Sequence, residues 1–189
     1  MATDLEAVNG EGKPDDLGLM LGSILMDGFH TLSVAVTNLG YTLLSEPLAL
    51  QAVREDRSLI PKAFYDGVRL APPTIFTQRY ALADVEHDGL VIPRGTPITM
   101  LWLAGNRDPE VFEDPGTYRL SRPIGRDTTF GGGVHLCPGR NVSKLLAETV
   151  LAALTEPDVD ISLAGSGFPW LTGSTMHQLE KMPVTLVRR

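Results

Sequence analysis

The chain has 189 residues, 43% of them hydrophobic, which is the length of one ordinary domain with enough apolar material for a real core. Its net charge of -7 argues against nucleic acid as a partner, because phosphate backbones are bound by basic surfaces. The single cysteine excludes an internal disulfide and makes a reducing cytoplasm the default compartment. The start, Met-Ala-Thr-Asp-Leu-Glu, also lacks the basic residues and apolar core of a secretory signal. The longest apolar run, Leu17 to Met26, is ten residues against about 20 for a spanning helix, so no membrane is expected.

Residues 1–14 are polar and end in Gly-Lys-Pro, a flexible lead-in to a single domain over residues 15–189. A helix is predicted after Pro14, capped by Asp15 or Asp16. It runs to about Ser45, ahead of Pro47, for roughly 30 residues or about 45 Å. Leu17, Leu19, Met20, Ile24, Leu25, Phe29, Leu32, Val34, Val36, Leu39, Leu43 and Leu44 are too dense for a one-sided stripe, so this helix is expected to be buried nearly all round. Polar Asp27-Gly28-Phe29-His30-Thr31 interrupts it, and buried polar groups need partners. Two readings stand side by side. In one, Thr31 bonds back to a carbonyl one turn earlier and His30 is a satisfied core histidine; in the other, the pair is functional.

Two shorter helices follow, Leu48 to Arg57 and Ile60 to Leu70, the second stopped by Ala71-Pro72-Pro73. On it Asp66 and Arg69, three apart, can meet on one face, a pairing worth under about 1 kcal/mol when exposed. Thr74 to Leu82 and Val85 to Ile92 carry β-favouring residues, with a turn at His87-Asp88-Gly89, and predict antiparallel strands. Arg79 lies on the open face of this region. After Pro93-Arg94-Gly95 comes an apolar strand, Thr96 to Leu103, and then a proline-punctuated acidic stretch with no periodicity up to Tyr118. Beyond Gly139 the apolar residues Val142, Leu145, Leu146, Val150, Ala153 and Leu154 repeat at helical spacing until Pro157, giving a face to pack on the long helix. The last thirty residues, with Gly165, Gly167, Pro169 and Gly173, suggest hairpins closing in a strand from Val184 to Val187. The expected class is mainly α with small β-sheets.

Between these elements lies Phe130-Gly-Gly-Gly-Val-His-Leu-Cys-Pro-Gly139, which holds the only cysteine. Its glycines and proline disfavour helix and strand but suit a tight loop that approaches a planar ligand closely. The helix that follows offers its N-terminal dipole to a thiolate at Cys137. A lone cysteine is otherwise most simply a small buried hydrophobe. No dinucleotide fingerprint, Walker loop or paired Cys/His spacing for zinc is present, and Gly131-Gly132-Gly133 lacks the Lys-Ser/Thr of a phosphate cradle.

The loop resembles the haem-binding loop of the cytochrome P-450 monooxygenases, F-x-x-G-x-H-x-C-x-G, at Phe130, Gly133, His135, Cys137 and Gly139. The resemblance implies haem b with Cys137 as the iron's axial ligand, His135 as a donor to a propionate, Phe130 shielding the sulfur, and Gly133 and Gly139 presenting backbone amides. It implies further that Arg79 meets a propionate, that Asp66 and Arg69 stand for the family's E-x-x-R ion pair, and that Ile92 to Thr96 is its I-P-x-G-T signature. The long helix corresponds to the central helix carrying A-G-x-[D/E]-T, where the acid and threonine deliver protons in oxygen activation. Here Gly28 and Thr31 match, while Asp27 and His30 replace the alanine and the acid. Thr117 stands where P-x-R-[F/Y] would place an arginine, with Arg119 two residues on.

By this resemblance the chain is the C-terminal half of the fold: long central helix, haem loop and following helix. The implied function is that of a thiolate–haem oxidoreductase, a monooxygenase completed by a complementary chain or homo-oligomer that covers the central helix. An acidic ferredoxin-type electron donor is expected at Arg126, Arg140 and Lys144. The alternatives are a haem-binding protein without turnover and a haem-free interaction or scaffold subunit.

Overall fold

The structure is a computed structural model that describes residues 14–171 and 175–188. The lead-in and Gly173 lie outside the described residues. The helices are α1 (Pro14–Leu44), α2 (Pro47–Glu55), α3 (Ile60–Leu70), α4 (Trp102–Gly105) and α5 (Arg140–Leu154), with single 3-10 turns at Arg57–Leu59 and Gly133–His135. The strands form three two-stranded antiparallel sheets. β1 (Thr77–Tyr80) pairs with β4 (Pro97–Met100), β2 (Val85–His87) with β3 (Leu90–Ile92), and β5 (Val159–Leu163) with β6 (Val184–Arg188).

The core sits where α1, α3 and α5 converge: Leu39, Leu43 and Leu44 meet Ala63, Phe64 and Val68 on one side and Ala147 and Leu151 on the other. Gly67 allows the crossing of α1 and α3, because a Cβ there would lie 2.5 Å from Leu39 Cδ2, inside van der Waals contact. Prolines at the first turns of α2 and α3 cost no hydrogen bond, since those N–H groups have no intrahelical acceptor. Asn38, fully buried in α1, donates to the carbonyls of Ala71 (3.1 Å) and His177 (2.7 Å) and so fastens the central helix to the end of α3 and to the C-terminal segment.

Several expectations need correction. α1 begins at Pro14 itself, so Asp15 and Asp16 lie inside the helix rather than at its cap, and it ends at Leu44. Its all-round burial holds only for the second half. Leu19, Ile24, Leu25, Met26 and Phe29 are exposed, Leu25 by 70% and Phe29 by 80%, because no described residue packs over them. The ten-residue run also understates this helix: Leu17–Leu44 has a mean hydropathy of 1.5 and is long and apolar enough to cross a membrane by length and composition. The same residues from Val34 onward build the core. In α5 the buried positions are Ala147 and Leu151, while Val142, Leu145 and Leu146 face outward. Val85 to Ile92 is a hairpin in itself, turning through positive φ at Asp88 and Gly89, and β1 takes its partner from β4. β4 stops at Met100, and α4 occupies the residues expected to continue it.

Candidate functional site

Gly139 leads into α5, and the glycine-rich stretch before it folds back so that the Cys137 N–H donates to the Phe130 carbonyl at 2.8 Å. Gly131 makes the turn possible with φ +67, and a Cβ there would press to 3.1 Å on the His135 carbonyl. A Cβ built at Gly139 would stand 3.8 Å from Cys137 Sγ, so the start of α5 lies against the sulfur. Phe130 stacks on Phe64 of α3 with ring centroids 6.2 Å apart, which fixes the loop to the core.

Above the loop is a cavity of about 350 Å³ between it and α1. Cys137, Phe130, Gly131, Gly132 and His135 line one side and Thr31, Leu32 and Ala35 the other, with Arg79, Met100 and Trp102 at the margin. The structure thus brings together Thr31, Arg79, Phe130, His135 and Cys137. Among the described residues no carboxylate pairs with Arg79, whose guanidinium donates only to the Gln78 carbonyl at 2.8 Å. Gly133 and Gly139 shape the loop without lining the cavity, Gly133 through φ +57.

His30 does not join them. It is exposed, so it is not a core histidine, and its Nε2 lies 3.1 Å from Gln178 Oε1 in the C-terminal segment. Thr31 and Leu32 line the cavity, whereas His30, one position earlier on the helix, is turned to Gln178 and is not part of the lining. The Thr31 hydroxyl donates to the Asp27 carbonyl one turn earlier. Among the described residues no Asp or Glu lines the cavity.

Asp66 and Arg69 do meet, Oδ1 to Nε at 2.7 Å, and both side chains are only 2% exposed. Arg69 donates further to the carbonyls of Asn106 (3.0 Å), Pro115 (2.6 Å) and Thr117 (3.1 Å), and its guanidinium lies over the Phe112 ring. Arg119 adds only its backbone, whose N–H reaches Asp66 Oδ2 at 2.6 Å; its side chain turns out to Glu113 and Asp114. The second cation comes from Arg122, which sequence reasoning missed. Its Nε is 3.1 Å from Asp66 Oδ1, an ion-pair contact off the line of a hydrogen bond, and its Nη atoms bind the carbonyls of Glu113, Asp114 and Thr117. Burial pushes the Arg122 guanidinium below its usual range, the like charge of Arg69 adds to this, and Asp66 opposes it.

Asn106, also unforeseen, connects this cluster to the loop. It is fully buried; its Oδ1 accepts from the Thr128 N–H (2.6 Å) and hydroxyl (2.9 Å), and its Nδ2 donates to Thr129 Oγ1 (2.9 Å). Thr129 in turn donates to the Val68 carbonyl at 3.1 Å. Of the three basic residues expected to attract an electron donor, Lys144 is occupied by Glu148 at 3.6 Å, while Arg126 and Arg140 are exposed.

The structure sets a thiol at a helix N-terminus and a glycine loop beneath a mostly apolar cavity, with a long helix across it. The cytochrome P450 family model matches residues 58–156, more than half of the chain. The chain is 33% identical over 177 residues to cytochrome p450 CYP199A2 of Rhodopseudomonas palustris, and 32% identical over 181 residues to the 6-deoxyerythronolide B hydroxylase of Saccharopolyspora erythraea. These matches take 94% of this chain but only 43% and 45% of the relatives. The tirandamycin C-bound P450 monooxygenase TamI superposes with a TM-score of 0.89 at 28% identity, over 97% of this chain and 47% of that one. The chain belongs to the cytochrome P450 family. It spans under half the length of the curated relatives it matches, and its architecture, mainly helical with small two-stranded sheets, is part of their fold.

Proposed function

We propose that this chain carries the thiolate side of a haem monooxygenase of the P450 type, an oxidoreductase active once the rest of the fold is supplied. The observation that carries the reading is Cys137: the only thiol of the chain opens into the cavity, pressed against the start of α5. The residues present fit haem b. The walls from Leu32, Ala35, Val68, Phe130, Met100 and Trp102 suit a porphyrin face, and Arg79 and His135 at the margin suit its two propionates. When bound, the thiolate-ligated group supplies oxygen activation, the chemistry for which P450s are the type case. The chain's own part is to present Cys137 at the start of α5, to exclude water from the sulfur with Phe130, and to hold the carboxylates with Arg79 and His135.

His30, turned to Gln178, does not carry protons into the cavity, so Thr31 is the one hydroxyl of Asp27–Thr31 placed to do so. The absence of any carboxylate from the lining favours a second reading, a haem-binding subunit without turnover. The exposed half of α1 supports a complementary polypeptide as partner, and Arg126 and Arg140 support an acidic electron donor in the cytoplasm.

The test is the visible spectrum of the reduced, CO-treated chain after haem addition. The red-shifted thiolate–haem band is expected, and Cys137→Ala should abolish it; a spectrum unchanged by that substitution removes Cys137 as ligand. Turnover only after adding the missing half of a relative's fold separates the monooxygenase from the non-catalytic subunit.

A further inference from the structure

We propose that Asn106 is a positioning residue for Cys137, setting the sulfur-bearing loop through Thr128 and Thr129. The inference rests on the reading of Cys137 as the functional thiol, but its geometry stands by itself. Two structures meet at Asn106. On one side its backbone carbonyl is gripped by Arg69 Nη1, which Asp66 fixes in turn. On the other its amide holds Thr128 by two bonds and Thr129 by one, and Phe130, the next residue, supplies the carbonyl that receives the Cys137 N–H.

The path from the buried ion cluster to the thiol therefore runs through one residue, whose backbone carbonyl meets the cluster and whose side-chain amide holds the loop with both ends used. Oδ1 accepts twice and Nδ2 donates once, in a place with no solvent exposure. A buried amide bonded in this way has one orientation, since exchanging its oxygen and nitrogen would set a donor against the Thr128 N–H. The Trp102 carbonyl, 3.2 Å from the Thr128 hydroxyl, shares the single proton that this hydroxyl gives to Asn106, and Thr129 donates to the Val68 carbonyl, so the segment entering the loop lies against α3 and α4 at once. Networks of this kind hold a reactive side chain where its neighbours require it.

The experiment measures alkylation of Cys137 by iodoacetamide in the haem-free 189-residue chain, well below its melting temperature. Asn106→Ala should raise the rate about tenfold by freeing the loop to open, and Thr129→Val severalfold. The two together should exceed Asn106→Ala by little, because they act along one path. Val53→Ala, a cavity in α2 that removes none of the hydrogen bonds among Asn106, Thr128 and Thr129, should lower the melting temperature while leaving the rate unchanged. The proposal is overturned if Asn106→Ala leaves the rate at the wild-type value, if Val53→Ala raises it equally, or if the two loop substitutions multiply. Should Asn106→Ala not fold, Thr129→Val against Val53→Ala decides alone. A thiol that responds as expected while Cys137→Ala leaves the haem spectrum unchanged would remove the ligand assignment and keep the positioning role.

Discussion

Asp66 has two guanidinium groups and one backbone N–H around a carboxylate that hardly sees water, so each partner has a different cost of removal. Arg69→Met removes the guanidinium hydrogen-bonded to Asp66 and leaves the buried carbonyls of Asn106 and Pro115 without that donor, and should cost about 3–5 kcal/mol in denaturant unfolding. Arg122→Gln leaves Asp66 with Arg69 and should cost about 1–2 kcal/mol, whereas Arg119→Gln should cost under about 1 kcal/mol because its side chain is paired at the surface. An Arg119 effect as large as that of Arg122 would refute this ordering. The spacing of Asp66 and Arg69 was legible from the sequence because both sit on one helix, where three residues apart means one face. Arg122 was not: it acts from an irregular segment without periodicity, and sequence distance gives no depth there. The direction of His30 was not legible, since the residue it meets, Gln178, lies 148 residues away. Another histidine answers to pH. Burial, with the Arg107 charge nearby, pushes His177 below its usual range as it stacks on Trp170 at 4.0 Å. The unfolded chain then takes up the proton first, so stability is complete above the ordinary histidine pKa of about 6.5 and falls as pH drops below it. A melting temperature measured from pH 8 to 5 should show this fall, and His177→Gln should flatten it.

At the scale of elements, α1 is two helices in one. Its second half is core, and Leu43→Ala there should cost about 2–5 kcal/mol. In the first half, Leu25→Lys and Phe29→Lys should change stability by less than about 0.5 kcal/mol while lowering binding of a hydrophobic dye and raising solubility. A large destabilisation by either substitution would mean that this half is packed in the isolated chain. Gly67→Ala must displace the packed Leu39 side chain and should cost about 1–3 kcal/mol, read as a lower denaturant midpoint. Element existence and order were legible because apolar periodicity and proline punctuation are local properties. The face of α5 was not, because its densest apolar residues look outward and the small Ala147 meets the core. A residue's apolarity does not say which surface covers it.

At the scale of the molecule, the loop, the ion cluster and the second half of α1 pack together, whereas Leu25, Met26 and Phe29 in its first half are exposed among the described residues. Mixing the chain with a polypeptide corresponding to the other half of a relative should shift it to a larger species in gel filtration, and Phe29→Lys should weaken that shift by at least about tenfold in concentration. A shift insensitive to Phe29 would place the contact elsewhere. The buried Asn38 also has a consequence in time. Its acceptor at His177 is 139 residues downstream, and the last sheet needs Val184–Arg188. At roughly 5–20 residues per second, a ribosome needs about 7–28 s to deliver that carbonyl after making Asn38. For that interval the apolar central helix waits in the nascent chain with only its fastening to Ala71 and without the one to His177. Its safe passage through synthesis then depends on what shelters a growing polypeptide as well as on the final fold.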